Sequence, residues 1–541
     1  MNLYIEKLYA EGIRAATEGR FDLVKTLAAQ LDTLGAEKAR VLYLKGVSAY
    51  YQSDFQMARE FITATIKTAP KNGSSYSLRA ILNSRLGDYE SAREDFLAAL
   101  KYSSDDTNLV FNYGLFEQER GNLETALQIY RGLVEKNKIY IPALNNYTLL
   151  LLAAGKHDLA AELFEKLVRE KRLPNEVTNL YADVLRQAGN LEEAKKQYVR
   201  YLQFYPEDFQ ASYNLGCVEL QLLNHETAHI IFKKLYKKTG SKLALWAKSF
   251  SVIPIVYKNS HEVENSRENL ECELNFLRDC VLKQKSDDWP EVVGSHQPFY
   301  LAYQDVSNID LLRTYGEICD SAMSNLPVQE TLKDRRRAIR SEPIALFVVS
   351  NQVKNYSVWN AITKGFLLNI DKGKLKVVVL NIGDLNDSVL KTLPDHLHIL
   401  DSSGSTSQIR RRILDLSPDV IVYPEIGMHP TATQLATVRL APLQVAMWGH
   451  PETTGIKTID YYISASLFET ANSGAHYTEK LIPLSNLGCY LEEPGISPEP
   501  NLPKELFAFK PNKLVLCPSA PKNFCQSMII YLQRLRSKEK T

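Results

Sequence analysis

The chain has 541 residues, 45% of them hydrophobic and 23% charged; at about 150 residues per domain this predicts several folded units and excludes a disordered or collagen-like chain. Lys plus Arg total 64 and Asp plus Glu 63, so a net charge of +1 gives no general attraction to nucleic acid or to an acidic membrane. Seven scattered cysteines without a CxxC pair exclude a disulfide scaffold and a structural zinc site, and no metal is expected.

The first residues lack an apolar core of the secretory type, and no run reaches the roughly 18 apolar residues that a membrane span needs. A cytoplasmic protein with free thiols is expected. From the start to residue 240 the sequence is an internal repeat. Ala58, Ala92, Ala126, Ala160, Ala194 and Ala228 recur at a spacing of 34, the period of tetratricopeptide helix hairpins. Twelve residues before these alanines stand small residues, Gly46, Ala80, Gly114 and Gly216. Four residues after them stand Ile62, Phe96, Tyr130, Phe164, Tyr198 and Phe232. Pro70 and Pro206 close their repeats, and a degenerate repeat is expected at 5–38 with Val24 in the alanine slot.

A hairpin of this kind cannot bury its apolar face alone, so 1–240 is predicted to stack into an α-solenoid whose groove suits an extended peptide. The groove-facing slot holds Asn112, Asn146 and Asn214. An amide offers both a donor and an acceptor, so a row of them can bind a peptide backbone without reading its sequence. Leu44, Leu78 and Leu180 fill the same slot elsewhere, which leaves open that the three are ordinary solvated asparagines.

The period ends near 240. Residues 241–340 read as a helical linker with a solvated basic run at 333–337. Apolar runs at 343–350, 374–382, 396–400, 418–423, 443–448, 461–465 and 480–483 then alternate with helical stretches at 356–369, 409–416 and 431–439. That alternation predicts a doubly wound, Rossmann-like parallel sheet over 341–490. Ligands on such sheets sit at loops after the carboxyl ends of strands. Three loops qualify: 350–357 after the first strand, 424–429 after the fourth, and Gly449-His450-Pro451-Glu452-Thr453-Thr454-Gly455 after the fifth. The last can present backbone N–H groups and hydroxyls to a sugar or phosphate; a plain turn with capping threonines is the alternative.

The block at 439–465, RLAPLQVAMWGHPETTGIKTIDYYISA, with HYTEKLIPL at 476–484, PFYLAYQ at 298–304, VYPEIGM at 422–428 and SNQVKNYSVWNA at 350–361, resembles the O-linked N-acetylglucosamine transferases, in particular the bacterial members with tetratricopeptide repeats. The resemblance implies a GT-B glycosyltransferase of two Rossmann-like lobes. A sugar, N-acetylglucosamine in most members, passes with inversion from a UDP donor to a Ser or Thr hydroxyl of a polypeptide guided by the repeats. No metal and no cofactor beyond the UDP-sugar substrate are implied, and neither is a nucleic-acid partner. It places Tyr356 and His450 as catalytic candidates, and Asn355, Gly449, Pro451, Glu452, Thr453, Thr454 and Gly455 as substrate contacts.

Two departures matter. Tyr356 stands where the family carries a histidine, and a phenol of ordinary pKa near 10 is a poor base at neutral pH; Gln352 likewise replaces a histidine common in relatives, and His429 falls at a variable place. The second lobe, which in the family holds most UDP contacts, would begin within 491–541 and be cut short at residue 541. The family function is then expected to be weak or absent in the chain alone, unless a partner supplies or covers that lobe. The alternative function is a non-enzymatic peptide-binding repeat adaptor with a remnant α/β domain.

Overall fold

The computed structural model describes residues 2–136, 139–284, 287–324, 326, 343–383, 389, 393–394, 397–401 and 404–490. The basic run at 333–337 and the expected start of a second lobe within 491–541 lie outside them. The chain divides into two compact units, Met1–Phe204 and Tyr205–Thr541.

The first unit is an array of helix hairpins, from Asn2–Thr17 with Phe21–Thr33 to Thr178–Gln187 with Leu191–Phe204. Its repeat slots are packing sites. Ala58, Ala92, Ala126, Ala160 and Ala194 are wholly buried, and Val24 nearly so. The small residue twelve positions earlier lies against the apolar residue four positions later. A Cβ on Gly46 would stand 2.5 Å from Ile62 Cδ1, and one on Gly114 would stand 2.6 Å from Tyr130 Cε1. The two helices of a hairpin approach there closely enough to exclude a methyl group. Helix starts are fixed by side chains of the turns. Asp54 accepts from Met57 N at 3.0 Å and Asp88 from Ser91 N at 3.3 Å, satisfying N–H groups that have no partner inside the helix. The turn itself needs a left-handed residue, which Gly121 supplies at φ 78° and Ser53 at φ 61°.

Gly114→Val should therefore destabilise the first unit by about 1–3 kcal/mol, because the fully buried Tyr130 ring has no room to yield. Urea denaturation measures it; an unchanged midpoint would show that the hairpin opens freely.

The second unit begins with one more repeat hairpin, Phe209–Gln221 and His225–Thr239, in which Ala228 and Phe232 are buried. This hairpin is built into the second unit because the His296 ring packs on Tyr213 and Phe232, with centroids 6.0 and 5.7 Å away. Trp246 Nε1 donates to His296 O at 2.8 Å. The last repeat hairpin ends at Thr239, while the division into compact units falls earlier, after Phe204.

The sheet has seven parallel strands: β1 (Ile344–Ser350), β2 (Leu375–Asn381), β3 (His398–Asp401), β4 (Val420–Tyr423), β5 (Leu443–Met447), β6 (Tyr461–Ala465) and β7 (Lys480–Leu484). Their order is β3-β2-β1-β4-β5-β6-β7, so the winding reverses between β1 and β4. Alternate residues fill two cores. Leu346 and Val348 of β1 pack with Val377, Val422 and Val445 on one face, against Trp359 and Ile362. Phe347 and Val349 point to the other face. Pro483 sits on β7, the sheet edge, where a missing N–H does least harm.

Within the stretch expected to be a helical linker, the helices Lys242–Phe250, Ser260–Lys283 and Ile309–Met323 cover the second face of the sheet within its core. The long helix is rich in charge, yet Val263, Leu270, Leu274, Leu277 and Val281 form one buried stripe, the mark of an amphipathic helix against a core. Among the described residues no helix is long and apolar enough to cross a membrane, no group of three His, Cys, Asp or Glu is arranged to hold a metal ion, and no disulfide joins the five cysteines.

Candidate functional site

The reversal of strand order between β1 and β4 opens the place where α/β sheets bind ligands. Glu425, two residues past the end of β4, lies there and is completely buried. Its Oε1 accepts from Ser350 Oγ at 2.7 Å and from Asn351 N at 2.8 Å, both at the end of β1. Gln352 N in turn donates to Ser350 Oγ at 3.0 Å. Glu425 Oε2, Asn351 Oδ1 and Gln352 Oε1 are buried with no hydrogen-bond partner among the described residues. Buried polar atoms are nearly always paired, so three unpaired acceptors in one place call for an explanation. Burial pushes the Glu425 carboxyl up to about 7, against the lowering effect of the Ser350 hydroxyl and the Asn351 and Gln352 amides.

Gly449, just past the end of β5, closes one side. Its N–H donates to Pro424 O at 3.0 Å. A Cβ would stand 2.5 Å from that oxygen and 3.2 Å from Glu425 Cβ, so only glycine lets the fifth-strand loop approach Glu425. His450 follows, buried, with its ring on Phe299 at 4.9 Å between centroids and Nε2 3.4 Å from Phe299 O. Burial brings its pKa down to about 4, opposed by the Phe299 carbonyl, so the imidazole is neutral near pH 7.

The polar side chains of the 449–455 loop have partners within the protein. Thr453 Oγ1 donates to Glu479 Oε2 at 2.6 Å and accepts from Thr478 N at 2.9 Å. Thr454 N donates to Glu479 Oε1 at 2.8 Å, and the Thr454 hydroxyl bonds the same oxygen. Glu452 Oε1 accepts from Asn308 Nδ2 at 2.9 Å; burial raises its pKa, with Asn308 and Arg267 opposing. Arg267 donates to Asn308 Oδ1 at 2.5 Å and to Gln304 Oε1 at 2.9 Å. Gly455, at φ 69°, brings its backbone against the helix Ile309–Met323. Pro451 is exposed. The loop is thus a clamp that joins the sheet to its covering helices, and Gly449 and His450 are the part of it that reaches the switch point.

Asn355 and Tyr356 lie further along the β1 loop. Asn355 Oδ1 accepts from Asn360 Nδ2 at 2.8 Å and Tyr356 O accepts from Asn360 N at 2.9 Å. Tyr356 is 47% exposed. In the repeats, Asn112 and Asn146 belong to the first unit and Asn214 to the second. All three are half-buried. Asn146 Nδ2 donates to Tyr130 OH at 3.3 Å, and Asn214 Oδ1 accepts from Gln210 Nε2 at 2.9 Å.

Sequence reasoning quoted the loops that hold Glu425, Asn351 and Gln352 but did not select these residues. The available signal was a lone acid directly after the apolar run at 418–423; its partners became visible only with the strand order.

These shifts predict a pH dependence. Glu425 titrates near 7 folded against an ordinary 4.5, so its contribution to stability is full below 4.5 and is lost as pH rises through 7. His450 titrates near 4 folded against 6.5, so its contribution is present above 6.5 and lost as pH falls through 4. Glu425→Gln should make the second unit more stable at about pH 8, by up to about 3 kcal/mol. The gain should shrink as pH falls towards 4.5. Thermal melts across this range measure it; a pH-independent difference would remove Glu425 as a buried titrating group.

A tetratricopeptide-repeat family model matches residues 77–138, 149–209 and 182–241. The probable UDP-N-acetylglucosamine–peptide N-acetylglucosaminyltransferase SPINDLY of Hordeum vulgare is 27% identical over 214 residues, which is 38% of this chain and 22% of that protein. The protein of the same name from Solanum lycopersicum is 32% identical over 102 residues, 18% of this chain and 10% of that protein. The matched chain therefore spans at most 22% of the length of these curated relatives. Among solved structures, a mutant O-GlcNAc transferase of Thermobaculum terrenum aligns over 84% of this chain and 58% of its own, at 14% identity and a TM-score of 0.26. The chain carries tetratricopeptide repeats, a parallel α/β lobe and distant similarity to UDP-N-acetylglucosamine peptide transferases.

Proposed function

We propose that the chain is a protein O-glycosyltransferase of the two-lobed GT-B type, passing N-acetylglucosamine from a UDP donor to a Ser or Thr hydroxyl of a polypeptide held by the repeats. The observation that carries the proposal is Glu425: a buried carboxylate at the strand reversal, with one oxygen fixed by the β1 loop and the other without a partner among the described residues. The similarity to peptide N-acetylglucosaminyltransferases supplies the substrate class.

In the proposed step the acceptor hydroxyl oxygen attacks the anomeric carbon, the bond from that carbon to the diphosphate breaks, and UDP leaves. The hydroxyl proton passes to Glu425 Oε2. A group titrating near 7 is matched to this work, and an imidazole titrating near 4 is a far weaker base. His450 is then assigned a positioning part beside Gly449, and the Tyr356 hydroxyl and Asn355 a hydrogen-bonding part at the rim. Because Glu425 is fully buried, the proposal requires the 350–356 loop to move when the acceptor enters.

Calorimetric titration of the purified chain with UDP tests the donor side. Micromolar binding supports a transferase. No detectable heat at millimolar UDP would favour the second reading, a peptide-binding adaptor, for which the internally bonded threonines Thr453 and Thr454 already speak.

A further inference from the structure

A cavity of about 950 Å³ lies in the second unit, away from the strand reversal. One wall is the start of the last repeat's outer helix, His225–Thr239, and the other is the helix Ser260–Lys283; the segment at 251–256 forms its floor. We propose that this groove binds an extended polypeptide segment carrying a lysine or arginine flanked by aliphatic residues. The proposal is independent of sugar transfer.

Three features converge on that ligand. The first is acceptor chemistry. His225 Nδ1 lies 3.3 Å from Ser251 O, and His229 Nδ1 lies 3.2 Å from Lys248 O. A carbonyl can only accept, so each Nδ1 carries the proton. His225 Nε2, left with a lone pair, is buried with no partner among the described residues, whereas His229 Nε2 lies 3.9 Å from Glu273 Oε1. Burial lowers the pKa of both rings, which keeps His225 a neutral acceptor. The second is charge. Glu226, Glu262 and Glu273 line the groove against Lys258 alone. Lys248, 2.8 Å from Glu273, offsets one carboxylate, and an excess of negative charge remains. A cationic side chain with several N–H donors fits both features; an acidic peptide fits neither.

The third is the shape of the walls. Asn265 and Asn269 stand one turn apart on the groove face of the long helix, exposed, with no hydrogen bond to their amides among the described residues. Two such amides can each accept from and donate to a peptide backbone. On the facing side Leu223, Ile230 and Val256 are exposed to 52%, 53% and 41%, an apolar border for aliphatic neighbours of the cation.

The test uses the full chain and two fluorescein-labelled heptapeptides, one alternating leucine with arginine and one alternating leucine with glutamate, followed by anisotropy. The leucine–arginine peptide should bind at least tenfold more tightly than its acidic counterpart. Asn265→Ala with Asn269→Ala should weaken it tenfold or more, as should Glu226→Lys; all three positions are solvent-exposed, so the fold tolerates the changes. A benzophenone in the peptide should crosslink within 223–273. Equal affinity for the two peptides, no binding, indifference to the substitutions, or crosslinks confined to 1–204 would each overturn the proposal.

Discussion

Gly316→Ala should cost the second unit about 3 kcal/mol or more and release the 449–455 loop from its covering helix. A Cβ on Gly316 would stand 1.8 Å from Gly455 O, and a Cβ on Gly455 would stand 1.9 Å from Leu312 O. Both obstacles are backbone, so neither can swing aside as a side-chain tip would. Overpacking alone costs roughly 1–3 kcal/mol, and here the strain falls on a loop already pinned at Glu452, Thr453 and Thr454 by Asn308 and Glu479. The melting temperature should drop by roughly 6 °C or more, with hydrogen exchange accelerated at 449–455. Gly455→Ala should do the same with the added penalty of its left-handed φ of 69°. A melting temperature within a degree of the wild type would mean that the helix and the loop are not in contact.

Glu425→Gln should lower sugar transfer by about 10²–10⁴-fold, the usual contribution of a positioned proton acceptor, while leaving UDP affinity within about twofold. The amide keeps an oxygen for Ser350 Oγ and Asn351 N, so the β1 loop stays anchored. What is lost is the group that titrates near 7. Wild-type transfer should therefore rise with pH through about 7 and the residual rate of the variant should not. A parallel loss with the pH profile intact would make Glu425 a merely structural anchor. His450→Asn, by contrast, should alter the rate without moving that limb.

Much of the fold was legible in the sequence, for a physical reason. Ala58 to Ala228 are buried where the hairpins pack, Gly46, Gly114 and Gly216 lie hard against the apolar residue of the same hairpin, and such contacts recur wherever the hairpin recurs. The strands were legible because both faces of the sheet are covered, so that the runs ending at Ser350 and Tyr423 are continuously apolar. The packing of the helix Ser260–Lys283 was harder to read because its apolar stripe is diluted by charge on the opposite face.

The site was less legible because its logic is long-range. Thr453 and Thr454 looked available, yet their partner Glu479 stands 26 and 25 residues away. Gly449 and Gly455 looked like donors of backbone N–H groups; they are places where two backbones meet. Glu425 gained meaning only from its bonds to Ser350 and Asn351, 75 and 74 residues earlier in the chain. No spacing within a single loop carries that pairing.

Transfer of tritiated N-acetylglucosamine from its UDP donor to a polypeptide extract, by the purified chain and by Glu425→Gln side by side from about pH 5 to pH 9, tests the central claim most directly. The account predicts slow but measurable incorporation on Ser or Thr, rising through about pH 7, and at least about 10²-fold less in the variant with no such rise. No incorporation by the wild type at any pH, or equal incorporation by both, would contradict it.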